Sequence, residues 1–254
     1  MTEASALIDR LKEHCTIVVF GDSISRGVVF DETKQRHSLL LESYANIVKE
    51  QLRAAVVNAA KFGSTILEGL QRFQNDVLQK RPDIVLIEFG GNDCDFAWDD
   101  VAQDPTGPHQ PKTDRGEFAR RLSDLIARLN ELRIIPVLVT LPPLDPERYL
   151  QWVSHNSAEA KENILRFIGA ASRIYSWHEQ YNAAILRVAE ETKTRLIDIR
   201  SSFLAAEDYT TLICRDGIHP NREGHRVIAE TILQYIRTRH DFLLTNPPST
   251  TAAP

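Results

Sequence analysis

The stretch TIVVFGDSISRG, residues 16–27, is a short apolar run that ends in a polar turn bounded by two glycines. Further apolar runs follow it at residues 55–58, 83–89, 134–140 and 196–199. Runs that are nearly continuously apolar are typical of strands in a parallel sheet, because helices cover both of its faces. The sequence therefore predicts five buried parallel strands.

The segments between these runs predict the helices. Between Asp114 and Arg133 apolar residues recur every three or four positions, and Asp114 and Glu117 are placed as a capping pair. The same spacing recurs at residues 181–188 and 227–236. Strands that alternate with amphipathic helices predict a doubly wound α/β fold.

The length of 254 residues suits one α/β domain. We expect a single domain over residues 1–244 and a mobile tail over residues 245–254, which is polar and proline-rich. Residues 141–176 are too many for a simple connection from a strand to a helix, and they predict helical cover over one end of the sheet. Their side chains Tyr149, Trp152 and His155 either contact substrate or belong to the core.

The composition is that of an ordinary soluble protein, with 43% hydrophobic and 26% charged residues. A net charge of -5 leaves no positive field for nucleic acid, so no nucleic-acid partner is expected. No apolar run approaches the roughly 18 residues of a membrane span. The N-terminal stretch MTEASALIDRLKEHC has no continuous apolar core, which predicts a cytoplasmic location. The oligomeric state is left open.

Several residues beside the polar turns have open interpretations. The three cysteines, Cys15, Cys94 and Cys214, show no CxxC spacing and are interpreted as reduced thiols. Cys94 and Cys214 are either packing residues or a pair whose oxidation inhibits the protein. Glu88 lies in an apolar run, so it needs a polar partner or a place near the strand end. Asp93 is expected to be a structural hydrogen-bonding residue.

Polar segments follow three of the predicted strands. They are GDSISRG at residues 21–27, NAAKFGST at residues 58–65 and GGND at residues 90–93. The carboxyl ends of parallel strands meet at one edge of the sheet, where ligands bind. Late in the chain DGIHP places Asp216 three residues before His219. We therefore expect these segments to form one site.

Ser23, His219 and Asp216 together suit nucleophilic catalysis. A serine hydroxyl needs a base within hydrogen-bonding distance, and a third group must hold that base in one tautomer. Acyl transfer also needs donors for the oxyanion, and the backbone N–H of Ser23, the backbone N–H of Gly63 and the amide of Asn92 are candidates.

GDSI, the glycine of NAAKFGST, GGND and DGIHP occur in the order of the four signature blocks of the SGNH, or GDSL-type, hydrolases, which the chain resembles. The resemblance implies a flavodoxin-like three-layer α/β/α sandwich with a five-stranded parallel sheet. It also implies that Ser23 is the nucleophile, that Asp216 and His219 complete the triad, and that Gly63 and Asn92 join Ser23 in the oxyanion hole.

The predicted function is a serine ester hydrolase that cleaves a small acyl ester through an acyl-enzyme on Ser23. The substrate is predicted to be a small molecule of the carboxylesterase or carbohydrate-deacetylase type, and no cofactor or metal is required. Ile24 replaces the leucine of the family's name motif with an aliphatic of similar volume. A thioesterase or acyltransferase with the same triad and a non-catalytic ligand-binding module are the alternatives. Nucleotide binding is disfavoured, because GDSISRG lacks the Gly-Lys-Ser/Thr ending of a phosphate loop.

Overall fold

The predicted strands form a parallel sheet with the first strand inside it. The computed structural model describes Leu11 and residues 14–245. Its strands are β1 (Thr16–Gly21), β2 (Val28–Asp31), β3 (Arg36–Leu39), β4 (Ala55–Asn58), β5 (Ile84–Glu88), β6 (Ile135–Val139) and β7 (Arg195–Ile197). The main sheet has the order β4-β1-β5-β6-β7, and all its neighbouring strands are parallel. The prediction of a five-stranded parallel sheet is confirmed.

Helices connect these strands and cover both faces of the sheet. They are α1 (Ser23–Arg26), α2 (Tyr44–Gln51), α3 (Ile66–Asp76), α4 (Trp98–Gln103), α5 (Arg115–Glu131), α6 (Pro146–Val153), α7 (Ala158–Ile168), α8 (Ser172–Thr192), α9 (Ile199–Leu204) and α10 (Arg222–Arg239). Short 3-10 helices span Leu78–Lys80, Tyr209–Leu212 and Asp241–Leu243. Within the described residues, no helix is both long and apolar enough to cross a membrane.

The two faces of β1 enter two different cores. Ile17 and Val19 pack with α2 and α10, whereas Val18 and Phe20 pack with α3, α5 and α8. Burying one such aliphatic or aromatic side chain contributes about 1.5 to 3 kcal/mol. Since both faces are covered, both sets of alternating side chains must be apolar. The fold is therefore the expected three-layer α/β/α sandwich.

Helix α3 begins directly after the polar segment that follows β4. Thr65 and Glu68 form a capping box there, in which each side chain accepts a hydrogen bond from the other residue's backbone N–H. Helix α5 begins in a similar way, because Asp114 accepts from the N–H groups of Gly116 and Glu117. Such caps stabilise a helix by about 1 kcal/mol. The cap at Thr65 also sets where the preceding loop ends.

A hairpin that the sequence did not predict follows the first polar turn. Strands β2 and β3 are antiparallel, and Phe30 lies opposite His37. The hairpin is joined to α1 by a hydrogen bond of 2.8 Å from the N–H of Leu40 to the carbonyl of Gly27. It therefore holds His37 at the same end of the sheet as Ser23.

Residues 141–176 form the predicted helical cover. Helices α6 and α7 and the start of α8 enclose a third apolar cluster that contains Leu150, Ile164 and Ile174. The predicted tail, residues 245–254, lies outside the described residues except for Thr245. The N–H of Thr245 donates to the carbonyl of Gln51.

Candidate active site

The motif segments meet where the strand order reverses. β1 lies between β4 and β5, so the next strand of the sheet is added on one side of β1 and the later strands are added on its other side. Open α/β sheets bind ligands at such a switch point, beyond the carboxyl ends of the strands. Ser23 follows β1, and Asn92 follows β5. The loop after β4 is joined to the turn before Ser23 by a hydrogen bond of 3.1 Å from the N–H of Lys61 to the carbonyl of Gly21.

Ser23, His219 and Asp216 form one hydrogen-bonded chain. The distance from His219 Nε2 to Ser23 Oγ is 2.9 Å, and the distance from His219 Nδ1 to Asp216 Oδ2 is 2.6 Å. Ser23 is 7% exposed and His219 is 6% exposed. With Asp216 ionised, the network assigns the imidazole proton to Nδ1, and Nε2 then accepts from the serine hydroxyl. This geometry lets Nε2 take the Ser23 proton.

The carboxylate of Asp216 is buried but well supplied with donors. Its Oδ1 accepts from the backbone N–H groups of Ile218 and His219, at 3.2 and 3.1 Å. Its Oδ2 accepts from His219 Nδ1 and from His37 Nε2. Burial alone would raise the pKa of Asp216, but the hydrogen bonds from His219 and His37 outweigh it and hold that pKa well below its ordinary value. Asp216 is therefore ionised at neutral pH.

The loop that carries Asp216 and His219 depends on Gly217. Its φ of +79° is in the left-handed region, and a Cβ there would lie 2.3 Å from the backbone N of Tyr149. The carbonyl of Gly217 accepts a hydrogen bond of 2.8 Å from the N–H of Asp145. The loop is thus packed against the first turn of α6.

The three oxyanion candidates have different surroundings. Among the described residues, the backbone N–H groups of Ser23 and Gly63 donate to no protein acceptor. The Asn92 amide donates one hydrogen to Asp22 Oδ2 at 3.1 Å, which leaves its second hydrogen for another acceptor. Gly63 has a φ of +71°, and a Cβ there would meet nothing within 4 Å. The positive φ, and not a lack of space, therefore explains why position 63 is a glycine.

Arg72 of α3 joins the strand end to the loop that carries Gly63. Its guanidinium donates to the carbonyls of Ala59 and Gly21 and to the hydroxyl of Ser64, at 2.6, 3.2 and 3.1 Å. It also lies over the ring of Phe20. The sequence analysis did not identify Arg72, because an arginine on an amphipathic helix carries no local signal of such contacts.

A second carboxyl site lies under the Ser23 turn. Asp22 Oδ1 accepts from the N–H of Ile24, and Glu88 Oε2 accepts from the hydroxyl of Ser25 at 2.8 Å. Burial raises the pKa of Asp22 well above its ordinary value, and the negative charge of Glu88 raises it further. Burial also raises the pKa of Glu88. At this site burial therefore favours the protonated form of each carboxyl group. Glu88 has both the polar partner and the strand-end position that its apolar context required.

Asp93 holds the start of α3. Both of its carboxylate oxygens lie within hydrogen-bonding distance of the N–H of Ile66, at 3.0 and 3.2 Å. Burial raises the pKa of Asp93 to about 7. This contact is of the structural kind expected for Asp93, and it places Asn92 beside the capped helix.

His37 is a site residue that the sequence analysis missed. Besides its bond to Asp216, its ring lies 4.9 Å from that of His219, and the rings of Phe30, Phe62 and Trp152 surround it. Among the described residues, His37, Asp216 and His219 also bring ligand-type atoms within 4.8 Å of one another. Hydrogen bonds from both imidazoles to Asp216 Oδ2 account for this arrangement.

Two pockets open next to the motif residues. One has a volume of about 760 Å³ and is lined by His37, Phe62 and the residues that follow β4. The other, of about 330 Å³, reaches Gly91 and Ile218, which precede Asn92 and His219. Its wall comes largely from the loop after β5 and from the helical cover, and it includes the rings of Phe96, Phe167 and Trp177. The two pockets therefore lie on either side of the motif residues.

The structure distinguishes the residues of the helical cover and the cysteines whose roles the sequence left open. Tyr149 is buried in the cover cluster, whereas the exposed His155 bonds Asp99. Trp152 is 37% exposed and contacts His37. All three cysteines are buried, Cys94 and Cys214 form no disulfide, and burial raises the pKa of Cys94 well above its ordinary value. These features favour packing roles for the cysteines, and inhibition by their oxidation stays a prediction.

Comparison with known proteins shows the family and the fold of the chain. The GDSL-like Lipase/Acylhydrolase family profile matches residues 19–227, which include all four motif segments. A solved lipase/acylhydrolase from Enterococcus faecalis has the same fold, with a TM-score of 0.63 and 22% identity over 92% of this chain and 98% of its own.

Two sequence relatives differ in what their names state. The uncharacterized lipoprotein YqeF of Bacillus subtilis is 27% identical over 85% of this chain and 87% of its own length. The acetylxylan esterase of Geobacillus stearothermophilus is 22% identical over 74% of this chain and 75% of its own. Because the family profile covers most of the sequence, the chain belongs to the GDSL-like lipase/acylhydrolase family and is a hydrolase that acts on esters.

Proposed function

We propose that the protein hydrolyses small acyl esters through an acyl-enzyme on Ser23, as a carboxylesterase or carbohydrate deacetylase. The observation that carries this proposal is the chain from Asp216 through His219 to Ser23, with distances of 2.6 and 2.9 Å. Each group has the partner that its role in acyl transfer requires.

In the first half of the reaction, Ser23 Oγ attacks the ester carbonyl and His219 Nε2 takes the serine proton. Asp216 stabilises the imidazolium that forms, because its carboxylate accepts from Nδ1. Negative charge develops on the carbonyl oxygen, which the free N–H groups of Ser23 and Gly63 and the second amide hydrogen of Asn92 would stabilise. One such donor contributes about 3 to 4 kcal/mol to the stability of the transition state.

In the second half, the proton leaves His219 with the alcohol, and an acyl ester stays on Ser23. His219 then takes a proton from water, and the hydroxide attacks the acyl carbonyl. Collapse of the second tetrahedral intermediate releases the acid and returns the proton to Ser23 Oγ. Every proton is carried by His219, so the cycle needs no further titrating group.

The proposed substrate is a small acyl ester, and an acetylated sugar is the favoured example. An acetylxylan esterase is among the relatives. In addition, the ring of Phe62, which is 57% exposed, lies beside the imidazole of His219, and the ring of Trp152 lies beside that of His37. These rings can cover an apolar group or the face of a sugar ring.

The test compares wild type with Ser23→Ala. Both are assayed with p-nitrophenyl acetate, butyrate and octanoate and with acetylated xylo-oligosaccharides, and both are treated with a serine-reactive fluorophosphonate. We expect turnover and labelling only in the wild type, with acetyl esters preferred. Folding of Ser23→Ala is checked by circular dichroism, because the lost hydroxyl should leave the sheet intact.

Other outcomes of this test have definite meanings. Labelling at Ser23 without turnover would contradict the proposed substrates but keep the serine mechanism. A preference for octanoate would contradict the small-acyl proposal. Folded wild type with neither turnover nor labelling would favour the ligand-binding module.

A cytoplasmic location also stays a proposal. The described helices include none that could cross a membrane, but one relative is named a lipoprotein. Fractionation of cells that express the full chain tests the proposal, and recovery with the membrane fraction would contradict it.

A further inference from the structure

The aspartate of the candidate triad has a second imidazole partner. His37 Nε2 lies 2.9 Å from Asp216 Oδ2, the same oxygen that accepts from His219 Nδ1. The two histidines are 182 positions apart in the chain, and they approach Asp216 from different elements. His37 comes from β3, whereas His219 lies in the loop that precedes α10.

Asp216 does not need His37 to hold its orientation. Oδ1 is already fixed by the N–H groups of Ile218 and His219, and the loop is held by Gly217 against α6. The additional donor acts instead on the charge of Oδ2. A donated hydrogen bond spreads the negative charge of that oxygen, so less of it stabilises the imidazolium form of His219.

We propose that His37 is a positioning residue of the triad, whose Nε2–H shares Asp216 Oδ2 with His219 and so weakens the hold of the aspartate on the protonated imidazole. It acts through Asp216 and does not contact the reacting atoms. The consequence is a general base that stays unprotonated, and therefore active, at lower pH than an unshared Asp–His pair. This inference rests on the proposed serine mechanism.

The packing around His37 keeps it in this role. Phe30 lies opposite it in the hairpin, and the rings of Phe62 and Trp152 lie 5.4 Å from its centroid. These rings offer no hydrogen-bond acceptor, so Asp216 is the acceptor that the geometry offers to Nε2. Ring packing and the hydrogen bond are thus two separable contributions of His37.

Other charged groups surround the two histidines and must be held constant in a test. Asp22 and His225 interact electrostatically with His219. Charged residues of the hairpin and of the pocket that His37 lines are Arg26, Asp31, Glu32, Lys34, Arg36, Lys61, Asp76 and Lys80, and α6 adds Glu147 and Arg148. All of them are unchanged in the variants below, so their effect cancels in a comparison with wild type.

The test uses variants that separate the ring from the donor. His37→Phe keeps an aromatic ring but donates nothing, and His37→Leu is a second variant without a donor. His37→Gln keeps a donor, because the Nε2 atom of glutamine is separated from Cα by the same number of bonds as the Nε2 atom of histidine. We measure kcat/KM from about pH 5 to pH 9 for an ester that wild type hydrolyses.

We expect the acid limb of the profile to move to higher pH by roughly half a unit to one unit in His37→Phe and His37→Leu. His37→Gln should follow the wild-type profile. The matched control is His155→Asn, which removes an exposed histidine whose Nε2 lies 2.9 Å from Asp99 Oδ1. It should leave the profile unchanged. Equal shifts in the phenylalanine and glutamine variants, or no shift in any variant, would overturn the proposal.

A second measurement does not need turnover. The proton of His219 Nδ1 should give a downfield NMR signal, and the pH at which it and the ring carbons titrate can be compared in wild type and variants. We expect His37→Phe to move this titration upward and His37→Gln to leave it in place. An unchanged titration would refute the role of His37. If instead the wild type neither labels at Ser23 nor turns over an ester while the titration does move in His37→Phe, the serine mechanism fails and the coupling of His37 to His219 holds.

Discussion

Two buried carboxyl sites flank the Ser23–His219 pair, and they behave in opposite ways. Asp216 is 0% exposed, and Asp22 and Glu88 are each 1% exposed, so burial is nearly the same in both. Nevertheless the pKa of Asp216 is lowered, while the pKa values of Asp22 and Glu88 are raised. Burial by itself does not decide whether a carboxyl group in this protein is charged.

The difference lies in what surrounds each group. Asp216 accepts hydrogen bonds from two backbone N–H groups and two imidazoles. Asp22 accepts from the N–H of Ile24 and the amide of Asn92, and Glu88 accepts from Ser25, but burial dominates at both groups, and the negative charge of Glu88 further disfavours that of Asp22. The first site therefore supplies a fixed negative charge for His219. The second supplies a hydrogen-bonded support for Asn92 at which burial disfavours negative charge.

Asp216→Asn should have the largest effect. The backbone N–H groups of Ile218 and His219 keep the amide oxygen at the Oδ1 position, so the amide nitrogen faces both imidazoles. His219 Nδ1 then loses its acceptor and the tautomer changes. We expect kcat to fall by about 1,000-fold to 10,000-fold. The measurement is steady-state ester hydrolysis by folded protein.

The matched control for that variant is Asp99→Asn, which makes the same change in an exposed His–Asp pair. It should leave kcat within experimental error of wild type. If Asp216→Asn lost less than about tenfold, the fixed charge at this site would not be what activates His219.

Asp22→Asn should have an intermediate effect, through Asn92. The N–H of Ile24 holds the amide oxygen at the Oδ1 position, so an NH₂ group replaces the oxygen that accepts from Asn92 Nδ2. Because the proposed oxyanion donor then loses its support, we expect kcat to fall by about 10-fold to 100-fold with little change in KM.

Glu88→Gln is the control, since it removes the partner acid but keeps the acceptor for Asn92. Its kcat should stay within about threefold of wild type, because burial already favours the uncharged form of Glu88 and glutamine is an uncharged group of the same shape. Equal losses in Asp22→Asn and Glu88→Gln would show that the pair supports the turn as a whole and not the Asn92 amide.

The sheet could be predicted because its physics is local. Strands covered on both faces must be apolar throughout, and β1 and β5 therefore stand out as continuous apolar runs. The hairpin of β2 and β3 carries no comparable pattern. Each of its strands has four residues, and β3 reads RHSL with no buried residue. Its position depends on packing against Phe62 and Trp152, which the sequence does not reveal.

The candidate site divides in the same way. Ser23, Asn92 and the DGIHP segment could be identified because each follows a strand or turn with a recognisable motif. His37 and Arg72 could not, since their importance comes from partners far away in the chain. The bond between His37 and Asp216 spans 179 positions, and the bond from Arg72 to Gly21 spans 51. Tertiary contacts of this kind leave no trace in local spacing.

Asp93→Asn should have the smallest effect on catalysis and a specific effect on stability. In the folded state the pKa of Asp93 is about 7, whereas an unfolded aspartate titrates near 4. The folded protein therefore binds this proton more tightly, so Asp93 lowers the free energy of unfolding as the pH rises from about 4 to 7. Asparagine cannot ionise, so the variant does not lose this stability as the pH rises.

The free energy of unfolding of Asp93→Asn relative to wild type should thus increase between about pH 5 and pH 8, by roughly 2 to 4 kcal/mol. Urea denaturation of both proteins at the two pH values measures this difference. Burial lowers the pKa values of His178 and His225 to about 3 and about 4, but both histidines are present in both proteins, so their contribution cancels in the comparison. An equal difference at the two pH values would mean that Asp93 is ionised in the folded protein and belongs with Asp216, as a carboxylate whose donors outweigh its burial.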